Sequence, residues 1–142
     1  MKKAILIAAA LCLAGPSAPA QSPGPHKTKP VYDESAAALG ASTYRTYCAA
    51  CHGKEGRGDG VLAGQLRVRP PDLTKVADRN KGTFPTDRIA RIVDGRQAVK
   101  AHGDSDMPVW GEALLKTREA YNEEQVKKQI SDLVSFIASI QE

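Results

Sequence analysis

The amino-acid sequence predicts an all-α fold of three to five helices joined by long loops. Three observations carry this expectation. Val126, Ile130, Leu133, Val134, Ile137 and Ile140 form one apolar stripe at helical spacing. Residues 53–71 hold Gly53, Gly56, Gly58, Gly60 and Gly64 and end on Pro70-Pro71, a composition on which no periodic apolar face survives. Nowhere does the chain show the apolar–polar alternation of a half-buried strand. No internal repeat is visible, and nothing marks a second domain.

The elements follow in order. Lys2 and Lys3 precede an uncharged, mostly apolar run from Ala4 to Ala14, and Ala18-Pro19-Ala20 supplies a small-x-small cleavage pattern. Residues 1–20 are therefore expected to be a signal peptide, cleaved after Ala20, which places the mature protein in the periplasm. Eleven apolar residues fall short of the ~20 that a membrane helix needs, so no membrane span is expected after cleavage. Cys12, behind Leu11, leaves with this peptide; lipid modification of Cys12 is the alternative. Removing these 20 of 142 residues takes two lysines and lowers the formal charge from +4 to +2. So weak a balance, with no basic tract longer than two residues, argues against nucleic acid as a partner.

Residues 21–34 form a flexible leader, in which QSPGPHKTKPVY carries three prolines and a glycine. The domain is expected over residues 35–142. Asp33 or Ser35 can cap a first helix that holds Leu39, Tyr44 and Tyr47 and runs to about Cys48. After the glycine-rich loop, Asp72 can cap a short helical turn through Val76. Thr86 to Asp94 sets Ile89, Ile92 and Val93 on one face, with Gly95 as the stop. Residues 96–111 read as a second loop containing His102, Met107, Pro108 and Trp110. In the last helix Asn122 caps and Gln125 takes the capping-box position.

Cys48-Ala49-Ala50-Cys51-His52 is the C-x-x-C-H haem-attachment pattern. Two thiols three residues apart at a helix end can each form a thioether to one edge of a haem. The imidazole that follows then lies under the iron, for which it is a good ligand. From the chain's own composition, a chance match arises roughly once in a thousand. The alternatives are a thioredoxin-like redox pair, which lacks its βαβ setting here, and a zinc site, for which His26, His52 and His102 are too scattered. A plain disulfide across two residues would close a small, strained loop.

The sixth ligand must come from elsewhere in the chain. Once Met1 has left, Met107 is the only methionine, and Pro108 stiffens the loop that presents its soft thioether. Met107 could instead fill a gap in the core, and His102 is the rival ligand.

Taken together, Gly40-x-x-x-Tyr44-x-x-x-Cys48-x-x-Cys51-His52, Pro71-Asp72-Leu73, Met107-Pro108 and Ile130-x-x-Leu133-x-x-Phe136-Ile137 resemble class I cytochrome c, over roughly residues 35–141. The resemblance implies the cytochrome c fold wrapped around one covalently bound haem c, with first and last helices crossing near Gly40 and Phe136, and Tyr44 close by. It implies that the Pro71 carbonyl accepts a hydrogen bond from His52 Nδ1, and that Leu73, Ile89, Ile92 and Trp110 wall the haem. Pro70-Pro71 as no more than a stiff turn is the alternative.

With His52 and Met107 on both faces of the iron, no position is open for a substrate, and the expected function is one-electron transfer rather than catalysis. The expected partners are redox proteins, whether dehydrogenase, reductase or terminal oxidase, met by a monomer. A peroxidase-like enzyme, a gas sensor and a fixed subunit of a larger complex are the rivals. Residues 45–100 carry 12 Lys and Arg against 6 Asp and Glu, whereas residues 101–142 carry 4 against 8. This asymmetry suggests that the basic half faces an acidic partner; ordinary solvated surface is the alternative.

Overall fold

The computed structural model describes residues 29–96, 107–117 and 122–142. Six helices and no strand occur among the described residues: α1 (Glu34–Tyr47), α2 (Ala49–His52), α3 (Val76–Arg79), α4 (Thr86–Asp94), α5 (Trp110–Leu115) and α6 (Glu123–Ser139). Short 3-10 turns at Ala63–Gln65 and Leu73–Lys75 interrupt the long loop between α2 and α3. His26, His102 and Cys12 lie outside the described residues.

Local chemistry accounts for most of the helix ends. Asp33 caps α1 by accepting from the Ala36 backbone N–H at 2.8 Å, so α1 takes in Glu34, one residue ahead of the expected domain start. Asn122 Oδ1 accepts from Gln125 N at 3.0 Å at the start of α6. Gly95 closes α4 at φ +70°, a left-handed conformation in which a β-carbon would be strained. Asp72 accepts from Thr74 N at 2.9 Å, and the helical turn it starts continues past the expected Val76 to Arg79.

The core is the crossing of α1 and α6. Val126, Ile130, Leu133, Val134 and Ile137 are buried as expected and pack with Tyr44, Cys48, Val93 and Leu114. Ile140, the sixth member of the stripe, lies at the end of the helix and is only half-buried. Gly40 is the contact point: a β-carbon there would fall 2.0 Å from Asp132 O and 2.8 Å from Leu133 Cα. Beside it the Tyr44 and Phe136 rings meet with centroids 4.9 Å apart, within the range of a favourable aromatic pair. The glycine-and-aromatic crossing expected from the resemblance is present.

Helix α5 corrects the sequence reading, which put residues 96–111 in a loop. Trp110 and Gly111 are helical, and Gly111 is buried against Asp94 and Arg96, where a β-carbon would lie 2.4 Å from each side chain. The small residue that looks like a breaker is what lets this helix dock.

Gln141 and Glu142 then tie the last turn back to the long loop. The buried Gln141 amide accepts from Ala77 N at 2.8 Å and donates to Leu73 O at 2.8 Å and Ile137 O at 2.7 Å. Glu142 N donates to Thr74 O at 3.0 Å, and its carboxylate pairs with Arg57 and Lys75.

Candidate haem-binding site

Helix α1 ends at Tyr47, and α2 restarts the helix at once as a single turn over Ala49–His52. Cys51 N and His52 N both donate to Cys48 O, at 3.1 and 2.9 Å. One turn therefore holds both thiols and the imidazole. Both cysteines are free thiols.

The C-terminal carbonyls of such a short helix need donors, and the glycine-rich loop supplies them. Gly58 N donates to His52 O at 2.8 Å, Gly60 N to Cys51 O at 3.2 Å and Leu62 N to Ala50 O at 2.9 Å. The loop is thereby wrapped around the end of α2. Gly58 has φ +73°, and a β-carbon on it would lie 2.2 Å from Pro70 O, so the loop also carries Pro70-Pro71 against the motif. From α1, the Tyr44 hydroxyl donates to Gly53 O at 2.7 Å in a buried bond. Burial and the nearby Cys48 push the Tyr44 hydroxyl well above its ordinary ionisation range, so it stays a donor.

Cys48 lies in the core, and burial, with a smaller contribution from Cys51, pushes its thiol up to about 12. Cys51 is half-buried. Burial holds the His52 imidazole below its usual range, while the Pro71 backbone pulls the other way. His52 Nδ1 is buried, and no partner meets hydrogen-bond geometry with it. The Pro71 backbone thus acts on the ring without completing the bond that the resemblance implies.

Most of the other predicted residues lie on the core to which Cys48 belongs. Leu73, Ile89, Met107 and Trp110 are half-buried and pack on the cluster that contains Cys48; Ile92 is also half-buried. Tyr47, Ala49 and Phe84 share that position, and the sequence reading assigned none of them to the site. Tyr47 faces Trp110 with ring centroids 5.5 Å apart. Its place one residue ahead of Cys48 was the available signal. Phe84, isolated in a Thr-Phe-Pro segment, offered none.

The chain matches the family described as cytochrome c oxidase, cbb3-type, subunit III, over residues 35–137, from the first turn of α1 to near the end of α6. The chain belongs to this family of class I c-type cytochromes. No curated protein and no solved structure matches it. The cytochrome carries a covalently bound haem c with iron, and its chemistry is haem-based electron transfer. The donor set fits that group: two free thiols and an imidazole on one turn, the imidazole kept neutral by burial and its Nδ1 still lacking a partner. Leu73, Ile89, Met107, Trp110 and Tyr47 are only partly buried, so apolar surface remains for a flat, apolar macrocycle to cover.

Proposed function

We propose that this cytochrome is a one-electron carrier and not an enzyme, its haem c tethered by Cys48 and Cys51 and its iron held between His52 and Met107. The haem supplies the redox couple; the chain supplies burial, ligands and orientation. The observation that carries the reading is the convergence of Met107 and Trp110 with Cys48 on a single apolar cluster, where the Trp110 ring meets that of Tyr47 at 5.5 Å. His/Met ligation raises the reduction potential and leaves no open coordination position. Tyr47, Leu73 and Trp110 exclude water from the cofactor, and the Pro71 backbone acts on the His52 ring.

The expected residence is the periplasm, after cleavage at Ala20, with redox proteins as partners. No helix among the described residues is long and apolar enough to cross a membrane. The family's description as a subunit of a cbb3-type oxidase favours a terminal oxidase as electron acceptor and supports a second reading, a fixed subunit of such an oxidase. Survival of an oxidase–cytochrome complex through a high-salt wash separates the fixed subunit from the mobile carrier.

Met107→Ala is the deciding experiment. It should remove the weak far-red band of methionine–ferric haem, lower the potential and open the ferrous protein to carbon monoxide. A wild type without the band, and a potential and carbon monoxide resistance unchanged in Met107→Ala, would transfer the sixth position to another ligand, His102 first.

A further inference from the structure

Arg96, just past the end of α4, is committed to two carboxylates. Its Nε and one terminal nitrogen donate to the two oxygens of Asp94, at 2.7 and 2.9 Å. Its other terminal nitrogen donates to both oxygens of Glu123, at 2.8 and 2.7 Å. Asp94 is the last residue of α4 and Glu123 the first of α6, so one guanidinium joins the ends of two helices. A planar guanidinium in two such forks fixes orientation as well as charge.

The same residues grip the chain that leads to Met107. A β-carbon on Gly111 would lie 2.4 Å from Arg96 Nε and 2.4 Å from Asp94 Oδ1. One step earlier, a β-carbon on Gly95 would lie 3.2 Å from Val109 Cα. Residues 94–96 therefore clasp residues 109–111, and Met107 stands two residues from that contact. The contact thus anchors the backbone immediately after Met107 and Pro108.

Resting on the reading of Met107 as axial ligand, we infer that Arg96, with Asp94 and Glu123, is the positioning device for the sixth ligand. A thioether is a weak, neutral ligand, so its hold on the iron depends on how firmly its own backbone is placed. Fixing residues 109–111 in advance removes part of the ordering cost from ligation. The strength of the clasp then sets how readily the iron opens.

The test uses the full-length, haem-loaded protein and carbon monoxide as the probe. Wild type should show the far-red band and bind carbon monoxide slowly; Met107→Ala should lack the band and bind fast. Arg96→Gln should bind carbon monoxide roughly 10- to 100-fold faster than wild type, in line with the loss of charged hydrogen bonds. Its band should weaken and its potential fall, and Arg96→Lys should restore part of each. Glu123→Gln, an exposed change that removes one arm of the clasp, should shift all three readouts the same way by less, and it serves if Arg96→Gln fails to fold. Wild-type carbon monoxide kinetics and potential in both Arg96→Gln and Glu123→Gln, with only thermal stability lowered, would reduce the clasp to a structural ion pair. A wild type that lacks the band, with a Met107→Ala protein that still resists carbon monoxide, would instead overturn the ligand reading, and the clasp with it.

Discussion

A methyl group added at Gly40 would collide with the backbone of α6, at 2.0 Å from Asp132 O and 2.8 Å from Leu133 Cα. Neither atom belongs to a flexible side chain, so the two helices would have to separate. Gly40→Ala should therefore destabilise the protein by about 1–3 kcal/mol or more, although alanine is the better helix former. Gly64→Ala is the matched control, because nothing lies within 4 Å of that position. Urea midpoints of the two haem-loaded variants check the contrast, which would be absent if Gly40 were merely a tolerated helix glycine. The same scale explains what was legible in the site. Cys48, Cys51 and His52 were readable because one helical turn fixes their relation locally. Phe84 was not, because its place against the core depends on contacts remote in sequence.

Among the elements, α1, α4 and α6 were legible because each has a capping or stop residue and an apolar face at helical spacing. Helix α5 was not, because Pro108 and Gly111 carry loop signals that the docking of Gly111 on Asp94 and Arg96 overrides. The strap from the end of α6 was also hidden, since a glutamine gives no sign of which backbone groups it will meet. Gln141 satisfies Ala77 N, Leu73 O and Ile137 O with one amide. Gln141→Leu keeps the volume and strips all three bonds, leaving backbone groups unpaired, and should cost about 3–9 kcal/mol overall at ~1–3 kcal/mol for each of the three stranded groups. Leu73 also donates to Gly56 O at 2.6 Å, so the loosened segment is the one that follows Pro71. Hydrogen exchange should accelerate at Leu73 and Ala77 before the middle of α6 responds; uniform acceleration along the chain would argue against a local strap.

Over the whole molecule, the separation into a basic and an acidic half is less complete than the sequence suggests. Glu142 neutralises Arg57 and Lys75, and Glu123 and Asp94 neutralise Arg96. Acidic residues of the last segment thus fold directly onto bases of the middle one. The remaining field still comes from exposed cations on the loop after the haem motif, Lys54 among them. Electron-transfer rates with an acidic partner should fall as salt shortens the Debye length from about 30 Å at 0.01 M to about 10 Å at 0.1 M. Lys54→Glu should flatten that dependence. It is a cleaner probe than Arg69, whose Nε donates to Gly58 O at 3.3 Å on the loop beside His52. Rates that ignore salt would point to a partner recognised by apolar surface.

The crossing of α1 with α6 also has a timetable. About 75 residues separate Cys48 from the start of α6, and a ribosome adding ~5–20 residues per second needs roughly 4–15 s to make them. Throughout that interval α1 has no partner to bury Tyr44 or Cys48 against, and a helix of 14 residues is marginal alone. Cys48, which ends inside the core, and the half-buried Cys51 therefore begin their existence open to reagents. A haem joined within that interval would meet the motif before the last helix closes over the first.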